Sequence, residues 1–559
     1  MLRSTQDRHP RRISFILVAL SALALLGLVA PGQPATETAT SPPETPDSPD
    51  DARLVVFVVV DQLRGDLLDR YDTVFTGGFA RLRAQGSTFR NATFDHAQTS
   101  TAPGHRTAVS GLHPHRHGLV GNRWLEETAG GEWEEVYALR DLQSPVAGEP
   151  GMEGRGPANI DGEAFPEWLL SAHPEARVVS LSGKDRAAIA MAGWAHGEVY
   201  WLDSARGRFL TGEYYRSDYP DWLESFHAQI LPRVWSDTVW HSEVPDWAAS
   251  LSRPDTFPYE GDGVHTYFPH RAVQEAGSHS ERDLNRWRGR GPYPDKAVLE
   301  LARTAVQELA LGSRAAPDYL ALGLSQVDRV GHDYGPLSRE QLDNLIRLDR
   351  GLGEFMDFLD REVGEGAWLM AFTGDHGVIE LPEARRDLGL YGRRISPHEL
   401  ADLISRAEEA ADAAGSESGA DALERARAAA DAALELDWVE DAFAWEDLLA
   451  GTPTDSLQAL FPRSYHPDRA LAPLGHLGVG LRTVEGAYSG RYPQGTGHGS
   501  PFYYDRHVPF ILLGPGIPAE HQDDRVSVVD LAPTVAELLG IPYPEGLDGQ
   551  SVLERVGGG

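Results

Sequence analysis

Residues 54–61, LVVFVVVD, place seven consecutive apolar side chains ahead of an aspartate. A run of that length without alternation reads as a strand buried on both faces, as in a parallel sheet. Four further runs have the same character: ARVVSL at 176–181, DYLALGL at 318–324, AWLMAFT at 367–373 and VPFILLG at 508–514. Helical patterns lie between them, including DKAVLELARTAVQELAL from Asp295 and SREQLDNLIRLDRGLGEFMDFLD from Ser338. This alternation predicts an α/β fold, a doubly wound, mostly parallel sheet flanked by helices. Ligands of such a sheet bind at the carboxyl ends of its strands.

The residues at those ends carry chemistry. Asp61 ends the first run, Asp328 and His332 follow the third in SQVDRVGHDYG, and Asp375 and His376 follow the fourth in FTGDHG. His498 stands in GTGHGSP, just ahead of the last run. Three carboxylates and three imidazoles at one sheet edge offer ligands for two divalent ions. With no thiolate among them, they suit catalytic zinc or a similar metal better than a structural site. Any one alone would read as a helix cap or a packed histidine. The glycines flanking DHG, GHD and GHG allow close turns through which the side chains converge.

Thr101 lies in QTSTAPGHRTAVSG, and Pro103 fits the first turn of a helix. Thr101 is therefore expected at or near an N-cap, where free N–H groups and the helix dipole favour a phosphoryl group. Threonine is also an ordinary N-cap. A neighbouring two-metal site is what would make its hydroxyl a nucleophile.

Composition narrows the function class. The formal charge is −34, from 50 basic and 84 acidic residues, which argues against nucleic acid or an anionic membrane surface as partner. An enzyme of anionic esters would then need local positive charge, which metal ions supply. The chain has no cysteine, excluding disulfides, thiol nucleophiles and thiolate sites. Lysine occurs only at 184 and 296 against an arginine-rich background.

Three domain-level segments are expected. Arg3, Arg8, Arg11 and Arg12 precede the apolar run 13–30, which reads as a signal peptide or, near the ~20 residues that span a bilayer, an N-terminal anchor. Both readings place the catalytic part outside the cytoplasm, periplasmic or extracellular, and confine any membrane association to 1–30. Residues 31–52, rich in Pro, Thr and acids, form a linker with nothing to bury. Residues 53–559 form the catalytic domain, with insertions at about 187–290 and 396–450. The first holds seven of the 13 tryptophans, as a cap or a satellite core. The second is an Ala/Glu-rich helical hairpin broken at 415–419, with no chemistry of its own.

Asp61, Thr101, Asp328-x-x-x-His332, Asp375-His376 and His498, in this order from about residue 54 to the C-terminus, resemble the metal-and-nucleophile set of the alkaline phosphatase superfamily. Within it the chain is most similar to the phosphate-irrepressible, threonine-nucleophile bacterial alkaline phosphatases. Asn122 in HGLVGNRW, Lys184-Asp185-Arg186 in SLSGKDRAA and the stretches AHGEVYWLD and GEYYRSDYPDWLESF carry that closer likeness. The resemblance implies two Zn²⁺ ions, or another divalent pair, about 4 Å apart. Asp328, His332 and His498 would hold one; Asp61, Asp375 and His376, completed by Thr101, would hold the other. Asn122, Lys184 and Arg186, with the backbone N–H after Thr101, would bind the non-bridging oxygens of a small phosphate monoester, and a phosphothreonine would form and hydrolyse.

The cationic Lys-x-Arg pair matters because a monoester dianion presents one more charged oxygen than a diester. The nucleotide pyrophosphatase/phosphodiesterase branch shares the metal set, the threonine and an asparagine but lacks that pair. It is the first alternative. An inactive metal-binding envelope protein is the second, and the intact ligand set speaks against it. Sulfatases use a Cys or Ser in C/S-x-P-x-R, where this chain has Thr101-x-Pro103-x-His105. His113, His115 and His117 in HPHRHG read as a structural turn rather than a metal tract, and His96, His105 and His507 as supporting or packing residues. Neither monomer nor dimer is indicated.

Overall fold

A computed structural model describes residues 52–556 except 262, 273–279, 419 and 491–492. The chain divides into two units, Met1–Glu44 and Thr45–Gly559. The leader or anchor at 1–30, and all of the 31–52 linker but Ala52, lie outside the described residues. Among those residues no helix is long and apolar enough to cross a membrane.

A nine-stranded sheet organises the second unit. Its strands are β1 (Leu54–Val60), β2 (Ser87–Thr93), β3 (Val178–Ser182), β4 (Glu198–Asp203), β5 (Arg208–Leu210), β6 (Asp318–Leu324), β7 (Trp368–Gly374), β8 (His507–Leu513) and β9 (Glu520–Ser527). They lie in the order β9-β2-β8-β7-β1-β6-β3-β4-β5. β1 sits between β6 and β7, parallel to both, with Val60 in register with Leu324 and Gly374. Only β8 and the edge strand β5 run against the others.

The unbroken apolar runs are explained by burial on both faces. Leu54, Val56, Val58 and Val60 enter one core, packed against helices Tyr293–Glu308, Gln326–Tyr334 and Arg339–Leu359. Val55, Phe57 and Val59 enter the opposite core, against helices Thr101–Ser110, Phe165–Ala172 and Leu531–Leu538. Phe57 meets Phe165 and Tyr319 with ring centroids 5.1 and 5.6 Å apart. Each valine buried this way contributes roughly 1.5–3 kcal/mol. The helix expected from Ser338 begins there, with Ser338 Oγ accepting from Gln341 N at 3.0 Å.

The segment 187–290, expected to be an insertion, contains β4 and β5 of the main sheet. Sequence periodicity is weak there because β4 has charged, part-exposed residues at both ends and β5 is a three-residue edge strand. Trp235 and Trp240 are buried in the main core, while Trp194 and Trp247 are exposed. In the helical segment, Gly415 lies inside helix Pro397–Ser418, and the next helix, Ala422–Leu434, starts from a capping box of Asp421 and Glu424. The hairpin shares a core with the antiparallel pair Val439–Ala444 and Val479–Thr483, so this subdomain runs well past 450.

Candidate active site

The sheet brings the expected residues to one edge. Asp61 follows β1 and its N–H bonds Leu324 O at 2.8 Å, tying it to β6. Asp375 and His376 follow β7. Because β8 runs antiparallel, its amino end lies at this edge, which brings in the 495–501 turn with His498. Asp505 accepts from Ser500 N at 2.9 Å and Ser500 Oγ at 2.6 Å and holds that turn. Asp328 and His332 ride on helix Gln326–Tyr334, whose N-cap Ser325 offers no side-chain bond. Asp295, from a neighbouring helix, takes over: its carboxylate accepts from Ser325 N at 2.7 Å and Gln326 N at 3.2 Å.

All three histidines are oriented alike. His332 Nδ1 lies 2.7 Å from Thr496 O, His376 Nδ1 2.9 Å from Gly377 O, and His498 Nδ1 2.8 Å from Thr99 O. A carbonyl only accepts, so each Nδ1 carries the proton and each Nε2 lone pair faces the carboxylates. Asp328 Oδ1 is 3.0 Å from His332 Nε2 and 3.4 Å from His498 Nε2. His376 Nε2 is 3.5 Å from Asp61 Oδ1 and 3.4 Å from Asp375 Oδ2. Lone pairs this close to carboxylate oxygens repel unless a cation or proton stands between them. Burial pushes His376 down to about 3, which disfavours the proton. Asp328, His332 and His498 form one group with metal-ligand geometry; Asp61, Asp328 and His376 form a second, and Asp61, His105 and Asp375 a third. The donor set fits divalent cations.

The carboxylates differ in their electrostatics. Burial, reinforced by Asp375, pushes Asp61 up to about 7 although Lys184 opposes it. Burial also works against Asp328, but His332 and Lys184 outweigh it and hold that carboxyl well below its ordinary value. His376 and His105 do the same for Asp375.

Thr101 is the first residue of helix Thr101–Ser110, and Ser100, with extended backbone, is the N-cap. Its side chain is buried and Oγ1 has no hydrogen-bond partner. The helix approaches the metal-ligand turn closely: a Cβ on Gly104 would stand 2.1 Å from Asp375 O. Asn122 Oδ1 accepts from Ala102 N at 2.9 Å. The N–H after Thr101, expected to face a phosphoryl oxygen, is thus engaged by Asn122, whose Nδ2 remains the donor on offer. Lys184 Nζ, also buried, lies 2.6 Å from Asp61 Oδ2 and 2.5 Å from Asp328 Oδ2. Asp185 anchors this turn by accepting from Tyr137 Oη at 2.6 Å and Arg155 Nε at 2.8 Å. Arg186 Nε is buried without a partner. Burial alone would lower its guanidinium, but Tyr137, Asp185, Asp61 and Asp328 outweigh it and raise it.

Three residues were not singled out, or not for this role. Gln62 N–H bonds Asp375 Oδ1 at 2.8 Å and its Nε2 bonds Asp328 Oδ1 at 2.9 Å, from a backbone with φ of 69°. Its place directly after Asp61 was the only signal. His105 Nδ1 lies 3.1 Å from Asp375 Oδ2 and 2.9 Å from Thr101 O. Asp295 gave no signal beyond its helix. Of the HPHRHG tract, His117 Nε2 pairs with Thr107 Oγ1 at 3.0 Å, and no metal-ligand group among the described residues includes His113, His115 or His117. A cavity of about 340 Å³, lined by Ser100, Asn122, His332 and His498, opens the site to solvent.

Comparison with known proteins places this geometry. Residues 55–447 match the family model described as type I phosphodiesterase / nucleotide pyrophosphatase. Alkaline phosphatase PhoV of Synechococcus elongatus is 29% identical over 527 residues, 90% of this chain and 92% of that protein. Alkaline phosphatase PafA of Elizabethkingia meningoseptica is 28% identical over 537 residues, with 90% and 94% covered. The crystal structure of PafA superposes with a TM-score of 0.80 at 24% identity, covering 90% of this chain and 98% of that one, and so has the same fold.

Proposed function

Because the chain belongs to the type I phosphodiesterase / nucleotide pyrophosphatase family, within the alkaline phosphatase superfamily, we propose that it is an exported alkaline phosphomonoesterase that releases inorganic phosphate through a phosphothreonine at Thr101. One observation carries the choice of monoester. The loop after β3 brings the Lys184 ammonium against the carboxylates of Asp61 and Asp328 and leaves Arg186 Nε unpartnered beside them. Cations there favour the dianion of a monoester over the monoanion of a diester. That PhoV and PafA, each matched over nine-tenths of its length, are named alkaline phosphatases supports the same reading.

Asp328, His332 and His498 would hold one divalent ion and Asp61, Asp375, His376 and Thr101 a second; zinc suits this imidazole and carboxylate set. Such ions supply Lewis acidity at phosphoryl oxygens and ease deprotonation of a hydroxyl or water. The chain's own residues supply position. Asn122, Lys184 and Arg186 bind the non-bridging oxygens, and the Gly104 approach holds Thr101 against the Asp375 turn. A bond forms from Thr101 Oγ1 to phosphorus as the ester oxygen leaves and takes a proton. Water then displaces Thr101, giving phosphate and the free hydroxyl. Residues 1–30 would direct export and 53–559 would form the catalytic domain.

The family description favours a second reading, a diesterase or pyrophosphatase. Rates on phenyl phosphate and on its methyl diester, measured with zinc present, separate the two. The monoester is expected to turn over faster. Faster diester turnover would reverse the assignment, and no turnover of either would leave an inactive metal-binding protein.

A further inference from the structure

The cavity at Thr101 does not end at the phosphoryl site. Gln98 and Gly490 line it and also line a second cavity of about 480 Å³, so the two adjoin at the loop that leads into the Thr101 helix. Gly499, next to His498, lies at the same neck, and a Cβ there would stand 3.3 Å from Gln98 Nε2.

The second cavity is walled by the helical subdomain that sequence reading left without chemistry. The partly exposed Leu400, Leu471 and Leu481 contribute apolar surface, with the mostly buried Trp445 and Phe461 behind it. The rings are braced: Trp445 meets Phe443 edge-on at 5.4 Å and Tyr465 at 5.0 Å. Ala97 packs into the same cluster. Ser464 Oγ accepts from both Ala97 N and Gln98 N at 3.0 Å, fastening the nucleophile's approach loop to this wall. Among the described residues lining the cavity, Arg482 is the only charged one. It is consumed by Asp455, which takes both guanidinium nitrogens at 2.9 and 2.8 Å, and by Glu440 at 3.3 Å. The cavity therefore offers aliphatic surface together with neutral polar groups such as Gln98, Thr483 and Ser489, and no available charge.

We propose that this cleft is the leaving-group subsite, which receives the uncharged aromatic or branched apolar alcohol half of a phosphate monoester while Thr101 and its neighbours hold the phosphoryl half. The inference rests on the monoesterase reading. The aliphatic wall of Leu400, Leu471 and Leu481 takes up such an apolar group through buried area.

The test fills the cleft from its rim. Ser489 is exposed and lines the cavity, so Ser489→Trp adds bulk without disturbing a core; circular dichroism and thermal melting verify the fold. The variant is expected to lose about tenfold or more in kcat/KM on 1-naphthyl phosphate and less than about twofold on methyl phosphate, the scale of a lost apolar contact. Equal losses on both esters, or none on the naphthyl ester, overturn the subsite. Calorimetry with free 1-naphthol gives a readout independent of hydrolysis: wild type should bind it about tenfold tighter than the variant. Equal binding overturns the subsite whether or not esters are cleaved. Tighter wild-type binding with no hydrolysis of any monoester supports the apolar site and overturns the monoesterase reading instead.

Discussion

Lys184 Nζ stands 2.6 Å from Asp61 Oδ2 with both side chains buried, and it reaches Asp328 Oδ2 as well. One ammonium thus joins carboxylates from two neighbouring strand ends. If the protein is the monoesterase proposed above, removing that ammonium would take positive charge from where the extra negative charge of a monoester is expected. Lys184→Ala is expected to lower monoester kcat/KM by about 100-fold or more, and diester kcat/KM far less. Lys184→Arg should not restore the wild-type ratio, because a planar fork does not replace a compact ammonium. Parallel steady-state assays on phenyl phosphate and its methyl diester check both.

Thr101 Oγ1 is buried and unpartnered at the start of its helix. Thr101→Ala is expected to keep its metals and its fold while losing about 1,000-fold or more in kcat. Acid quenching with radiolabelled phosphate ester should trap label on the wild-type protein and none on the variant. Full activity in Thr101→Ala would remove the mechanism.

Gln62 links the carboxylates of Asp375 and Asp328 through its backbone and side-chain amides. It acts through those residues, as a positioning residue. Gln62→Leu should weaken zinc binding by about 10- to 100-fold, the usual cost of losing an orienting partner. Its φ of 69° suits glycine, so Gln62→Gly keeps the turn and should show the same loss. Chelator competition measures it; unchanged affinity in both variants would assign Gln62 to the turn alone.

Glu340 is buried, with His270 Nε2 3.0 Å from Oε1, and burial pushes it from its ordinary 4.5 up to about 8. The folded protein therefore keeps a proton that the unfolded chain releases above 4.5. Its contribution falls as pH rises from about 4.5 to about 8 and is level above that. Glu340→Gln should flatten this slope, so that the Tm difference between the two ends of the window shrinks. Scanning calorimetry at both pH values reads the change.

Much of the fold was legible because the central strands are buried on both faces. β1 and β6 coincide with their apolar runs, and the helix from Ser338 starts at its own cap. The same runs located Asp61, Asp328 and Asp375-His376, since these residues follow directly on strands or a strand-linked helix. Sheet membership was less legible for β2, β4 and β9, whose strands include charged or part-exposed residues, and for β5, which has only three residues.

The sequence by itself thus determined the parallel core, the residues at its carboxyl edge and the helix that starts with Thr101. These depend on local periodicity and on neighbours along the chain. Tertiary structure decided the rest. His498 reaches the site because β8 runs antiparallel, and Gln62 meets Asp375 from 313 residues away. The helix carrying Asp328 is capped by Asp295, and the helical segment walls a cleft beside the loop that leads to Thr101. Strand direction, cross-chain capping and cleft walls arise from pairing between distant segments, which no local pattern of side chains encodes.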